Sequence, residues 1–240
     1  MYEMSSYHEL ITQLGIDYTH PGGKAATQKW VKQIPENLEN VLEVGCGTGE
    51  TLRNLRHQTA AFLYGIDSSA EMVSKAKAKT SHLHHIEVMQ QNIEDLLFTH
   101  QFFDLIISES VLAFTPIDNC LPKLTNLLKP NGQIILLEMA KSQTLPHIAE
   151  EKMKIFYQFP QLLSKEDWLK QLLDNGYETV YIEKVEKETK TPVTLPQHLS
   201  IDMLQTLNQH YQFNTEYAHD LHTYLFIAKK RGDTHDHTRN

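Results

Sequence analysis

The chain has little cysteine, no excess of positive charge and no long apolar run. Cys46 and Cys120 are its two cysteines in 240 residues, too few for a disulfide framework and not spaced as C-x-x-C or a zinc cluster, so a reducing compartment is expected. Lys and Arg number 22 against 30 Asp and Glu, a net charge of −8, which argues against a strongly basic nucleic-acid binder. No apolar stretch approaches the ~18 residues that cross a bilayer, and the start MYEMSSYHELITQLG lacks a basic region followed by an apolar run. A cytoplasmic chain without membrane association is the expectation. At 40% hydrophobic and 22% charged residues the composition is that of an ordinary globular protein.

From about residue 36 to residue 140, short apolar runs alternate with amphipathic stretches, the pattern of successive βα units feeding a parallel sheet. Strands are expected at Val41–Val44, Ala61–Ile66, Ile86–Met89, Asp104–Ile107 and Gln133–Leu137, each pair far enough apart for a crossover helix. Ser68 with Glu71, and Ser164 with Asp167, have capping-box spacing, and Gly176 is placed to end the second of these helices. Pro130, Asn131 and Gly132 are expected to stop the helix containing LTNLL. Residues 140–163 lose the β period and read as a cap insertion, after which strands at Thr179–Val185 and Thr223–Ala228, around a helix near Ser200–Tyr211, finish a domain spanning 36–230. The polar tail 231–240 reads as disordered.

The densest chemical signal is VLEVGCGTGE, where an apolar strand runs into Gly45, Gly47 and Gly49 and then a helix. Glycines there admit positive φ and bring backbone N–H groups and a helix N-terminus close to a polar ligand. Asp67 ends the next strand about 20 residues further on, the offset at which a carboxylate meets ribose hydroxyls, while Ser68 and Ser69 are available to cap the following helix. The two signals together point to a nucleoside ligand.

VLEVGCGTGE, GIDSS, QQNIEDL, FDLIISES and LKPNGQIILLE, in that order, resemble the class I S-adenosylmethionine-dependent methyltransferases, especially those acting on small molecules. The resemblance implies an α/β, Rossmann-like, seven-stranded and mostly parallel sheet with helices on both faces, a late antiparallel hairpin and a helical cap. It implies S-adenosyl-L-methionine as cofactor and S-adenosyl-L-homocysteine as product. Gly45, Cys46, Gly47 and Gly49 would then lie along the methionine part, Glu43 near its amino group, and Asp67 with Ser68 at the ribose. Asn92 and Ile93 would lie at the adenine, where the family usually has an acidic residue. The segment 1–35 would be a helical piece packed over the cofactor.

Glu109, in SES at the end of the fourth strand, lies where open α/β sheets place reactive groups and is the candidate catalytic base or a further cofactor contact. Tyr18, Phe156, Tyr157 and Trp168 are the candidate substrate-binding residues, while Trp30, Val31 and Ile34 have the spacing of a packed helix face. The 14 histidines show no recognisable ligand spacing, so no metal is expected. The reading is methyl transfer to an O, N or C nucleophile of a small molecule. Nucleic-acid or protein methylation, an NAD(P)-dependent oxidoreductase and a noncatalytic nucleoside-binding protein stand as alternatives.

Overall fold

The computed structural model describes residues 6–186 and 199–232. Two N-terminal helices, α1 (Ser6–Leu14) and α2 (Gly23–Val31), precede β1 (Asn40–Val44), α3 (Glu50–Arg56), β2 (Phe62–Asp67), α4 (Ala70–Thr80) and β3 (Ile86–Gln90). Then come β4 (Phe103–Glu109), α5 (Ile117–Leu127), β5 (Leu128–Lys141), α6 (His147–Tyr157), α7 (Lys165–Asp174), β6 (Tyr177–Val185), α8 (Ile201–Glu216) and β7 (Leu221–Lys230). The strands form one seven-stranded sheet in the order β3-β2-β1-β4-β5-β7-β6. The first five strands pair in parallel and β7 runs antiparallel between β5 and β6. This is the expected α/β architecture with its late hairpin.

Alternation along the central strands divides the core between the two faces. Leu42 and Val44 of β1 and Ile106 of β4 pack with Leu121 and Leu124 of α5 and Trp168 and Leu172 of α7. Val41, Leu105 and Ile107 pack on the other face with Trp30 of α2, Leu52 and Leu55 of α3, and Val73 and Ala76 of α4. Coverage on both sides is why these strands read as unbroken apolar runs. The chain crosses from β1 to β2 in one direction and reaches β4 in the other, so the carboxyl ends of β1 and β4 flank the crevice where such sheets bind ligands.

Two local expectations are corrected. Ser69, one residue after the expected Ser68, caps α4 by accepting the Met72 N–H at 3.3 Å, while Glu71 reaches forward to pair with Lys75 at 2.7 Å. The helix containing LTNLL ends at Leu127 before Pro130 is reached. Strand pairing resumes at Leu128 opposite Phe103, and Pro130, Asn131 and Gly132 form an irregularity inside β5 before Gln133 pairs with Leu105. The capping box of Ser164 and Asp167 is formed, and Gly176 leaves α7 at φ +80°. Residues 231 and 232 are the described part of the tail expected at 231–240; its remainder lies outside the described residues.

Candidate functional site

At the end of β1 the backbone turns through Gly45, Gly47 and Gly49, all at positive φ, with Cys46 N–H donating to the Ile66 carbonyl at 2.9 Å. The three glycines have different reasons. A Cβ on Gly45 would run into the Val111 side chain, and one on Gly49 would come within 2.9 Å of Ala76 Cβ. A Cβ on Gly47 would meet nothing within 4 Å, so it is the one that faces open space. Cys46 is buried with its thiol pushed up by burial, a packing residue at the back of the turn against Gly65.

Asp67, at the end of β2, closes the far side of this space. Its Oδ2 accepts the Gly47 N–H and its Oδ1 the Ser69 N–H, both at 2.9 Å, so the carboxylate also shapes the turn. Burial raises its carboxyl, and those two backbone donors hold the rise back. Each oxygen keeps lone-pair capacity for a further donor. Ser68 is exposed beside it. Asn92 is exposed and caps the short turn Ile93–Asp95 by accepting the Glu94 N–H at 3.0 Å; Ile93 behind it is buried. One cavity of about 550 Å³ opens between this turn and α5, sharing only Asn92 with the residues singled out from sequence.

Glu43, inside β1, is buried with Oε2 lacking any hydrogen-bond partner among protein atoms. Burial, and then the nearby Glu109 charge, hold its carboxyl well above the usual range. A buried carboxylate oxygen without a donor is costly, and a cationic or N–H-bearing ligand would relieve it.

Glu109 is the most heavily engaged side chain of the crevice. Its Oε1 accepts the Thr27 hydroxyl at 2.7 Å and the Trp30 indole N–H at 2.9 Å, with His20 Nε2 at 3.5 Å; its Oε2 accepts the Thr51 hydroxyl at 3.0 Å. Thr27 and Trp30 belong to α2 and are essentially inaccessible to solvent, so this carboxylate fastens the N-terminal segment to the sheet. The same segment makes three further contacts near the glycine turn. Asp17 takes the Thr48 hydroxyl and the Lys79 ammonium, and Tyr18, at φ +58°, accepts the Asn54 amide. Burial, with the charges of Glu50 and Glu109, pushes the Tyr18 hydroxyl up to about 12.

The four residues expected to bind substrate do not form one wall. Tyr18 sits by α3 as just described. Phe156 is half-buried at the edge of an aromatic cluster beneath α1, and Tyr157, corrected to a core residue, is buried within it, its ring centroid 4.8 Å from that of Tyr7 and its hydroxyl 3.0 Å from His210 Nδ1. Trp168 is corrected to a core residue: it is 1% exposed, and its indole N–H donates to the Met139 carbonyl at 3.0 Å, because α7 turns its apolar face onto β5 and β7. Among the described residues no His, Cys, Asp and Glu group could hold a metal ion, and no helix is long and apolar enough to cross a membrane.

Sequence reasoning missed the polar roles of Trp30 and Thr51, and missed Glu138 altogether. Glu138 is completely buried in β5, where its Oε1 accepts the Leu112 N–H at 3.0 Å, the Val111 N–H at 3.2 Å and the Ser108 hydroxyl at 3.3 Å, and its Oε2 the Ala113 N–H at 3.4 Å. The signal was one acid inside the apolar run IILLEMA, since a charge in such a run needs internal partners.

Comparison with known proteins gives this geometry its context. A methyltransferase-domain family model matches residues 35–187. The chain is 31% identical over 237 residues to the uncharacterized methyltransferase YodH of Bacillus subtilis, covering 95% of this chain and 100% of that protein. It is 27% identical over 146 residues to a trans-aconitate 2-methyltransferase of Escherichia fergusonii, covering 54% of this chain and 56% of that one. Among solved structures, a sarcosine dimethylglycine methyltransferase from Galdieria sulphuraria, itself described as putative, superposes with a TM-score of 0.78 at 11% identity, covering 94% and 98% of the two chains. Phosphoethanolamine N-methyltransferase 2 of Haemonchus contortus, in complex with S-adenosyl-L-methionine, superposes with a TM-score of 0.75 at 15% identity, over 94% of this chain and 56% of that one. The family model spans more than half of the sequence and the Bacillus relative nearly all of it, so the chain belongs to the methyltransferase-domain family and is a class I methyltransferase.

Proposed function

We propose that the crevice binds S-adenosyl-L-methionine and that the enzyme passes its methyl group to an O, N or C nucleophile of a small molecule, releasing S-adenosyl-L-homocysteine. The observation that carries the reading is the open space over Gly47, whose N–H the Asp67 carboxylate accepts; two residues before the turn, Glu43 carries a buried Oε2 without a protein donor. The donor set suits the ligand: an ammonium group would satisfy Glu43, and ribose hydroxyls would use the free lone pairs of Asp67. Gly45, Cys46, Gly47 and Gly49 supply the backbone surface along the methionine chain, with Ser68 beside the ribose and Asn92 and Ile93 toward the base. The cofactor brings a methyl carbon made electrophilic by the sulfonium; the chain's part is to hold that group and its acceptor in line. The described part of the N-terminal segment, residues 6–35, acts as a cover, fastened by His20, Thr27 and Trp30 on Glu109.

In this reading Glu109 is an anchor in place of the catalytic base its strand-end position suggested. Both oxygens already accept hydrogen bonds, and taking a proton would weaken each of them. The acceptor approaches from the side of Tyr18, which lies by α3.

Calorimetry with both forms of the cofactor tests the proposal. Wild-type protein is expected to bind S-adenosyl-L-homocysteine, and Asp67→Asn to bind it roughly 10-fold or more weakly, the loss of one charge-assisted hydrogen bond. Heatless titrations of the wild-type protein with either form would refute it.

A further inference from the structure

Glu138 touches neither the glycine turn nor Asp67, yet its position ties it to both sides of the crevice. β5 places it fully buried next to the end of β4, and it gathers the N–H groups of three successive residues, Val111, Leu112 and Ala113. These form the turn that follows Ser110, itself at φ +58° and held by its N–H to the Leu137 carbonyl at 2.7 Å. Three converging N–H groups and the Ser108 hydroxyl make a site for a carboxylate of fixed position. Burial nonetheless pushes its carboxyl up to about 7.

What the turn carries explains why it is held so tightly. The Val111 side chain fills the space where Gly45 has no Cβ, packing directly on the glycine turn. One turn later Phe114, whose N–H donates to the Val111 carbonyl at 3.0 Å, enters the aromatic cluster, with ring centroids 4.6 Å from His8 and 4.8 Å from Phe159. A single short element therefore has one end on the cofactor turn and the other in the aromatic cluster.

We propose that Glu138 is a positioning residue: by clamping the backbone of Val111–Ala113 it seats Val111 on Gly45 and thereby sets the conformation of the glycine turn that receives the cofactor. The inference rests on the cofactor reading above. It differs from a purely stabilising role, which would lower the resistance to unfolding and leave the affinity of the folded protein unchanged.

The test is a double-mutant cycle on Glu138→Gln and Val111→Ala, read as S-adenosyl-L-homocysteine affinity by calorimetry and as thermal midpoint. Glutamine keeps the volume and one acceptor oxygen. Each single variant is expected to bind about tenfold more weakly while remaining folded at the temperature of the titration, and the double variant no more weakly than the weaker single, since both act through one turn. Wild-type affinity in Glu138→Gln, or losses that simply multiply in the double variant, overturns the inference. Should Glu138→Gln not fold, Val111→Ala decides: weaker binding at an unchanged midpoint supports it and wild-type binding overturns it. If wild-type protein binds no cofactor, the cofactor reading fails separately. Hydrogen-exchange protection of the Val111, Leu112 and Ala113 amides then decides the clamp, because it is lost in the glutamine variant only if Glu138 holds the turn.

Discussion

Replacing Glu109 separates anchoring from proton abstraction, because glutamine and alanine fail a base equally but an anchor unequally. In Glu109→Gln the amide oxygen can keep the Thr27 and Trp30 donors, and the Thr51 hydroxyl can rotate to accept from the amide nitrogen, so what is lost is charge assistance. In Glu109→Ala the Trp30 N–H and the Thr27 hydroxyl face a void in a region closed to solvent. An unsatisfied buried group costs about 1–3 kcal/mol, so the pair weakens the attachment of α2 by about 2–6 kcal/mol. The lower figure is already a factor of about 30 in a local opening equilibrium. Native-state hydrogen exchange of the α2 amides, with S-adenosyl-L-homocysteine titrations alongside, measures both consequences. Alanine is expected to cut α2 protection by at least ~30-fold and to weaken ligand binding, and glutamine to lie near the wild type. Equal protection and affinity in wild type and alanine variant would show that Glu109 does not hold the N-terminal segment, returning it to candidacy as a base.

Two further outcomes follow from neighbouring features. Gly45→Ala forces a Cβ into Val111 at positive φ and is expected to lower the thermal midpoint by several degrees, whereas Gly47→Ala meets no protein atom and costs only about 1 kcal/mol of left-handed strain. The ranking reverses in calorimetry if Gly47 borders the ligand: Gly47→Ala, with nearly wild-type stability, should bind S-adenosyl-L-homocysteine much more weakly, and unimpaired binding would move the ligand elsewhere. Glu138 predicts a pH dependence. Its carboxyl lies at about 7 when folded against an ordinary 4.5, so the folded state holds its proton more tightly, and this contribution to stability is full below pH 4.5 and lost as pH rises through 7. The stability difference between wild type and Glu138→Gln, from urea melts, should therefore shift against the wild type by about 3 kcal/mol between pH 4.5 and pH 8. A difference independent of pH would place the Glu138 carboxyl in the ordinary range.

How much of this was legible in the sequence depended on whether a feature is local. Strands buried on both faces announce themselves as apolar runs, and the glycine turn, the Ser164–Asp167 box and the Gly176 stop are each set by residues within a few positions, so they were read with little error. Ser68 and Ser69 show the limit of local reading: both are chemically able to cap, and a one-residue difference in where the strand releases the chain chose Ser69. Trp168 shows another limit. An aromatic residue on an amphipathic helix looks the same whether it faces a crevice or a core, and only the packing of α7 on β5 and β7 shows that Trp168 faces the core.

The polar residues around Glu109 and Glu138 were hidden because their partners come from distant parts of the chain: Thr27 and Trp30 lie 82 and 79 positions from Glu109, and Val111 lies 27 from Glu138. No spacing rule links such positions, but a physical constraint does. An ionised carboxylate can lie inside an apolar strand only where the fold delivers N–H or O–H donors to it, so each acid within a sheet strand predicts a local polar assembly even when its members cannot be named. Applied to this chain, that constraint picks out Glu43, Glu109 and Glu138. The fold satisfies Glu109 and Glu138 internally and leaves one oxygen of Glu43 without a donor. That oxygen, two residues ahead of the turn in which Gly47 faces open space, is the one carboxylate oxygen of these three acids for which the protein supplies no donor.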